Sequence, residues 1–241
     1  MNAGPRPEPG PGQALPCDYD TDPGRFAAGQ AAAQRFTPRG DIHSAVARRL
    51  IAEGCRRVAD IGGGNGTLAR LLAGHGITVV TLDRAAHIIR APRPAIRADA
   101  AHLPFPGATF DGAAALLMLY HLADPGSALR EARRVLRPGA LFAVSTVSRH
   151  NDPELASVLP HWGRPLSFDA ENGPGLLQAV FDIVDIERWD EPIVHLPDRG
   201  ALTLYLRGRG LPAPRAAAAA QNLDTPLTIT KRGMIGWLRY R

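Results

Sequence analysis

A short apolar run, Arg57 to Ile61, ends in Asp60-Ile61 and breaks at once into Gly62-Gly63-Gly64-Asn65-Gly66. Thr67 to Leu72 then reads as a helix, closed by Gly74 and Gly76. Strand, glycine turn and helix in immediate succession leave few arrangements open. Glycines at alternate positions let the backbone approach a ligand closely and adopt positive φ, and the helix behind them presents free N–H groups. A nucleotide-type ligand in the crevice outside the strand ends accounts for the acid, the glycines and the helix together. A tight strand-to-helix turn without a ligand accounts for the glycines alone.

The same alternation runs on. Ile77 to Leu82 is a second β-branched strand ending at Asp83, followed by a short helix around Ala85 to Ile89 and a third strand near Ala95 to Asp99. Phe110 to Leu119 reads as a buried strand, Asp124 to Leu136 as an amphipathic helix, and Ala140 to Val147 as another buried strand. Upstream, Asp41 to Ala52 has helical spacing with Asp41 as its N-cap. Repeated crossover connections predict an α/β fold, a doubly wound, mostly parallel sheet with helices on both faces. After Ser148 the expected elements are a helix over Phe168 to Val180, a strand over Phe181 to Trp189 and a helix from Asp198 to Arg207 capped by Asp198. Helical Ala216 to Ala220 follows, then two strand segments in Pro226 to Tyr240 broken at Arg232-Gly233. Residues 1–18 are Pro/Gly-rich and expected to be disordered; 19–241 form one domain, with a cap or insertion around 190–222.

At 241 residues, 45% hydrophobic and 21% charged, the chain can bury a sizeable core and is not a disordered composition. Its longest apolar stretches, such as Gly112 to Tyr120, fall short of the roughly 18 residues that span a membrane. No basic, apolar export signal opens it, and Cys17 and Cys55 make neither a disulfide framework nor a metal-ligand spacing. The expected compartment is the cytoplasm, with no metal. The charge of +5 is carried almost wholly by scattered arginines, Lys231 being the only lysine, so it does not point to nucleic acid.

The ligand can be narrowed. A dinucleotide fingerprint would place its third glycine at position 67, where Thr67 stands, and no P-loop lysine follows. The pattern is D-x-G-x-G-x-G, whose carboxylate suits a ligand carrying an ammonium group. Asp83 closes the second strand, where an acid can accept both hydroxyls of a ribose. Beyond the third strand comes Asp99-Ala100-Ala101-His102-Leu103-Pro104-Phe105, then Phe110-Asp111-Gly112, Tyr120-His121-Leu122, Asp124-Pro125 and Arg137-Pro138-Gly139.

In these motifs, over about Asp41 to Val147, the chain resembles the class I S-adenosylmethionine-dependent methyltransferases, specifically the small-molecule branch that includes the quinone-biosynthetic enzymes. The resemblance implies a seven-stranded sheet with an antiparallel last strand and S-adenosylmethionine across the strand tips. It implies cofactor contacts from Asp60, Gly62, Gly63, Gly64, Asp83, Arg84, Asp99, Ala100 and Leu117, with the Asp99 side chain and the Ala100 N–H facing the adenine. The Asn/Asp-Pro-Pro-Tyr motif of amino-directed DNA enzymes is absent, and Leu117-Met118-Leu119-Tyr120 stands in its place.

The cofactor supplies the electrophile, so the protein mostly aligns the acceptor and removes water. A base is needed only where a hydroxyl or carbon acid must lose a proton. His121, just past the fourth strand, is the candidate base, or else a packing residue that holds its loop. Tyr19, Tyr120 and Trp162 are the candidate acceptor contacts. The segment Tyr19 to Arg39, with Arg25 and Phe26, is either a lid over the cofactor or a surface arm. The stretch Arg149 to Asn222, with Trp162, Trp189 and Tyr205, is the other source of an acceptor site, though Trp189 at a strand end reads as core. The expected activity is methyl transfer to O, C or N of a small molecule, by a monomer or homodimer. An RNA methyltransferase, a non-catalytic S-adenosylmethionine-binding protein and a nicotinamide-dependent oxidoreductase stand as alternatives.

Overall fold

The computed structural model describes residues 22–37 and 42–240. Asp41, Cys17, Tyr19 and the 1–18 leader lie outside them. Seven strands form one sheet: β1 Arg57–Ile61, β2 Thr78–Asp83, β3 Ala95–Arg97, β4 Phe110–Leu116, β5 Leu136–Val147, β6 Asp182–Leu196 and β7 Leu227–Arg239. Their order is β3-β2-β1-β4-β5-β7-β6. β1 to β5 are parallel, and β7 runs antiparallel to both neighbours. The expected fold class is therefore observed. Between and around the strands lie α1 Pro23–Phe36, α2 Ile42–Ala52, α3 Thr67–Leu71, α4 Pro125–Val135, α5 Gly173–Gln178, α6 Arg199–Gly208 and α7 Ala213–Gln221. None of these helices is long and apolar enough to cross a membrane.

Burial on both faces explains why the central strands are almost continuously apolar rather than alternating. In β4 every residue except Asp111 is buried. Alternate residues feed two cores: Ala59, Ile61, Val80 and Leu82 face α4, whereas Val58, Val79, Ala114 and Leu116 pack with α2 and α3. α4 starts where Asp124 accepts from the Ser127 N–H at 3.2 Å and Pro125 supplies a preset first turn. It buries Ala128, Leu129, Ala132 and Val135 on one face, and truncating fully buried Leu129 to Ala would cost about 2–5 kcal/mol.

A third core lies beyond the sheet. β6 and β7 continue as a pair past the end of β5 and carry α6 and α7 between them. Val194, Leu196, Leu202, Tyr205, Leu206 and Ile229 pack together there with Leu155. Asp198 caps α6 as expected, accepting from Ala201 N–H at 2.8 Å.

Three expectations need correction. No helix covers Phe168 to Val180: only α5 forms, because the Asp169 carboxylate takes the N–H groups of Leu166, Glu171 and Asn172 and locks that stretch as turns. β6 extends seven residues past Trp189 because β7 pairs with it all the way to Leu196. β7 has no break at Arg232-Gly233. Gly233 sits in register with both Val147 and Trp189, and a Cβ there would lie 2.4 Å from Trp189 Cζ2, so the glycine makes room for the indole. The short helix expected after β2 is present as a 3-10 helix, Ala86–Arg90.

Candidate active site

Every parallel strand of the sheet ends on the same edge, and the glycine turn rises from its middle. Gly62 and Gly64 have φ of +68° and +58°, which L side chains rarely adopt. Gly63 is required for a different reason: a Cβ there would lie 2.2 Å from Asp60 Oδ2. Gly66 is different again, with φ +79° and Pro92 Cδ 2.7 Å from where its Cβ would be. Thus Gly66 serves packing. α3 behind it is only five residues long.

Asp60 is 2% exposed, directly beneath this turn. Among the described residues its Oδ2 has no hydrogen-bond partner, nor does the hydroxyl of its register neighbour Thr81. Burial pushes its carboxyl up to about 7, with His43 opposing the rise and Asp83 adding to it. An unsatisfied acceptor against a Cβ-free backbone fits a ligand that brings a cation or N–H donors.

One strand over, Asp83 Oδ2 accepts from Gly64 N–H at 2.9 Å and Oδ1 from Ala85 N–H at 2.8 Å. Both oxygens keep lone pairs for hydroxyl donors. Arg84 is half-buried, its carbonyl taking Arg97 Nε at 2.7 Å. Asp99 follows β3 two residues beyond the register partner of Asp83, and its Oδ1 accepts from Ala101 N–H at 2.9 Å, with Ala100 half-buried between them. At the tip of β4, Leu117 holds φ +54°, a left-handed conformation that costs a non-glycine residue about 1 kcal/mol or more. It turns Met118 onto the loop, so that a Cβ on Gly62 would lie 2.6 Å from Met118 Cγ.

Two residues that the motif reading did not assign to the site, Met118 and His87, thus touch the glycine turn. The signal for His87 was its place one turn after Asp83, and its Nε2 lies 4.0 Å from Asp83 Oδ2. Phe26 of α1 stacks on the His87 ring at 4.3 Å and 16°. Both rings stand over Gly64, at 3.5 and 3.7 Å from the position of a Cβ.

Tyr120 and His121 lie in a 3-10 turn, Leu119–His121, tied back by His121 N–H to Met118 O at 3.0 Å. Their rings are 4.5 Å apart. Ser167 Oγ donates to the Tyr120 carbonyl at 3.4 Å and links this turn to the loop after β5. Trp162 belongs to that loop: its Nε1 donates to Asn151 O at 2.9 Å and its ring meets His150 edge-on at 5.4 Å. Asp60, Asp83 and Met118 each touch the glycine turn, whereas the contacts of Trp162 are with Asn151 and His150.

Trp189 is half-buried: it packs against the core shared with α2 and α3, and it also helps line a cavity of about 390 Å³ with Ser148, Glu171, Arg188 and Arg232. Tyr205 is no acceptor-side aromatic. Its hydroxyl donates to buried Asp152 at 3.0 Å, and Lys231 Nζ reaches Asp152 at 2.6 Å and Tyr205 Oη at 3.0 Å. Arg209 Nε completes the hub, 2.6 Å from Asp152 Oδ2. Among the described residues no group of three or more His, Cys, Asp or Glu converges to hold a metal.

Comparison with known proteins agrees with this geometry. Residues 59–144, the stretch from β1 through most of β5, match the family model described as a methyltransferase domain. The chain is 31% identical over 186 residues to the O-methyltransferase cnsE of Penicillium expansum, covering 70% of this chain and 65% of that protein, just under two thirds of its length. It is 31% identical over 207 residues to the O-methyltransferase resE of Aspergillus sclerotiorum, covering 77% of this chain and 76% of that protein. Among solved structures, the [4+2]-cyclase SpnF superposes with a TM-score of 0.66 at 20% identity, over 95% of this chain and 98% of that one, a likeness of fold. By family model and by relatives, the chain belongs to the class I S-adenosylmethionine-dependent methyltransferases.

Proposed function

We propose that this chain transfers a methyl group from S-adenosylmethionine to a hydroxyl oxygen of a small-molecule acceptor. The observation that carries the cofactor's placement is Asp60, a buried carboxylate with an unpartnered oxygen beneath the glycine turn and one strand from Asp83. When bound, S-adenosylmethionine supplies a methyl carbon made electrophilic by its sulfonium. The chain's own residues hold and shield it. Asp60 faces the ammonium end past Gly62, Gly63 and Gly64; Asp83 takes the ribose hydroxyls with Arg84 behind it; Asp99 and the Ala100 N–H face the adenine; Leu117 sets the loop that carries Met118. Met118 and the Phe26–His87 stack exclude water from the turn.

On the acceptor side, His121 takes the proton of the attacking hydroxyl, with Tyr120 and Trp162 lining its approach. The oxygen acceptor is favoured by the two O-methyltransferase relatives and by a histidine beside the strand tip. Calorimetric titration with S-adenosylhomocysteine, with NADH as control, tests the cofactor: micromolar binding of the first and none of the second is expected. For His121→Ala, turnover on a phenolic acceptor panel should fall at least tenfold with cofactor affinity unchanged. Undiminished turnover would make His121 a packing residue.

A further inference from the structure

α1 touches the glycine turn at one end and the cap at every other point. Phe26 lies with His87 over Gly64, on the face a ligand must approach to reach Asp83. The rest of α1 is built into the cap. Ala32 is buried in the third core and Phe36 packs against it. Gly29 approaches Gly208 of α6 so closely that a Cβ at Gly208 would lie 2.8 Å from Gly29 Cα. Arg207, also on α6, grips the Asp22 carboxylate with both ends of its guanidinium, Nη1 reaching Oδ2 at 2.7 Å. That carboxylate also caps the first turn of α1 through Arg25 N–H at 3.2 Å.

We infer that Phe26 and His87 form a clamp over the bound cofactor, and that the Arg207–Asp22 pair latches the clamp shut from the cap rather than from the cofactor-binding half. The inference rests on the cofactor reading above. A ligand at Gly64 and Asp83 enters and leaves only when the stack parts. Phe26 moves with α1, and α1 is fixed to α6. Release of the cofactor is therefore governed by a contact made outside the cofactor site, on α6 of the cap. Phe26 acts by covering the ligand. Arg207 acts through α1 and is a positioning residue.

The test is the dissociation rate of S-adenosylhomocysteine from the full chain, read by surface plasmon resonance. Phe26→Ala should release it at least fivefold faster, and Arg207→Gln should do nearly the same. In the double variant the two effects should fall well short of multiplying, because both open one clamp. The charge-reversed pair Asp22→Arg with Arg207→Asp should bring the rate back toward that of the parent chain, which a general loss of stability would not. Unchanged rates in Arg207→Gln, or full multiplication in the double variant, would overturn the latch. Failure of the parent chain to bind S-adenosylhomocysteine at all would sink the cofactor reading, and the clamp with it.

Discussion

Of the aspartates buried near the strand tips, Asp152 and Asp60 have opposite surroundings. Asp152, 0% exposed, is met by Lys231, Tyr205 and Arg209. Burial alone would push its carboxyl up, but the two cations outweigh that and hold it below the usual carboxylate range. Asp60, 2% exposed, has no hydrogen-bond partner for its Oδ2 among the described residues and is pushed up to about 7. A folded chain ordinarily satisfies its buried polar groups. Where its own side chains bring cations and a hydroxyl to one, as Lys231, Arg209 and Tyr205 do to Asp152, the group joins parts of the fold. Where it leaves one unsatisfied against a Cβ-free turn, as at Asp60, a ligand is the partner proposed.

The contrast predicts effects of opposite sign. Asp152→Ala strands Lys231 and Arg209 without their carboxylate, and denaturant unfolding should show a loss of about 3–5 kcal/mol. A loss below about 1 kcal/mol would mean that the hub does not hold the cap. Asp60→Asn should instead stabilise the protein at pH 8. A carboxyl whose folded pKa lies above its unfolded value near 3.8 favours the fold while protonated, and that advantage is lost as pH rises from about 4 through about 7. The rise of about 3 units sets a ceiling of roughly 4 kcal/mol, and a gain of about 2 kcal/mol at pH 8, vanishing near pH 4, is expected from melting curves. The same variant should lose most of its S-adenosylhomocysteine affinity, while affinity in the parent chain should rise roughly tenfold from pH 6 to pH 8 as Asp60 ionises. A flat profile would detach Asp60 from the ligand. The smallest effect is at Asp83, which already satisfies two loop N–H groups. Asp83→Ala should weaken cofactor binding about tenfold or more, through loss of charge-assisted bonds, and cost about 1–2 kcal/mol of stability as the two N–H groups lose their acceptor.

Legibility in the sequence follows the same divide. The acid-glycine turn and the acids at 83 and 99 are local signals, each within a few residues of a strand end, and the strand-helix alternation that carries them is equally local. The hub is assembled from residues 53, 57 and 79 positions away from Asp152, and no pattern along the chain announces it. The lone lysine was visible in the composition, but nothing in the sequence paired it with Asp152. The helix expected over Phe168 to Val180 failed because one side chain, Asp169, gave the backbone a better partner than helical carbonyls. Gly233 was read as a breaker because its true neighbour, Trp189, lies 44 positions earlier. Even within the motif, Gly63 and Gly66 also make room for a carboxylate and a proline, which the pattern alone does not show.

One detail of the β6–β7 pair bears on how such a chain diversifies. Its outermost register partners are Leu196 and Leu227, the two residues that bracket α6 and α7. The helical segment therefore leaves and re-enters the sheet through one closed pair, as a graft joins a stem. Lengthening the connection between its two helices adds loop-closure entropy, which grows slowly with length, and leaves the sheet register untouched. A new graft must still offer a small residue and a cation to α1, and a hydroxyl and a cation to Asp152.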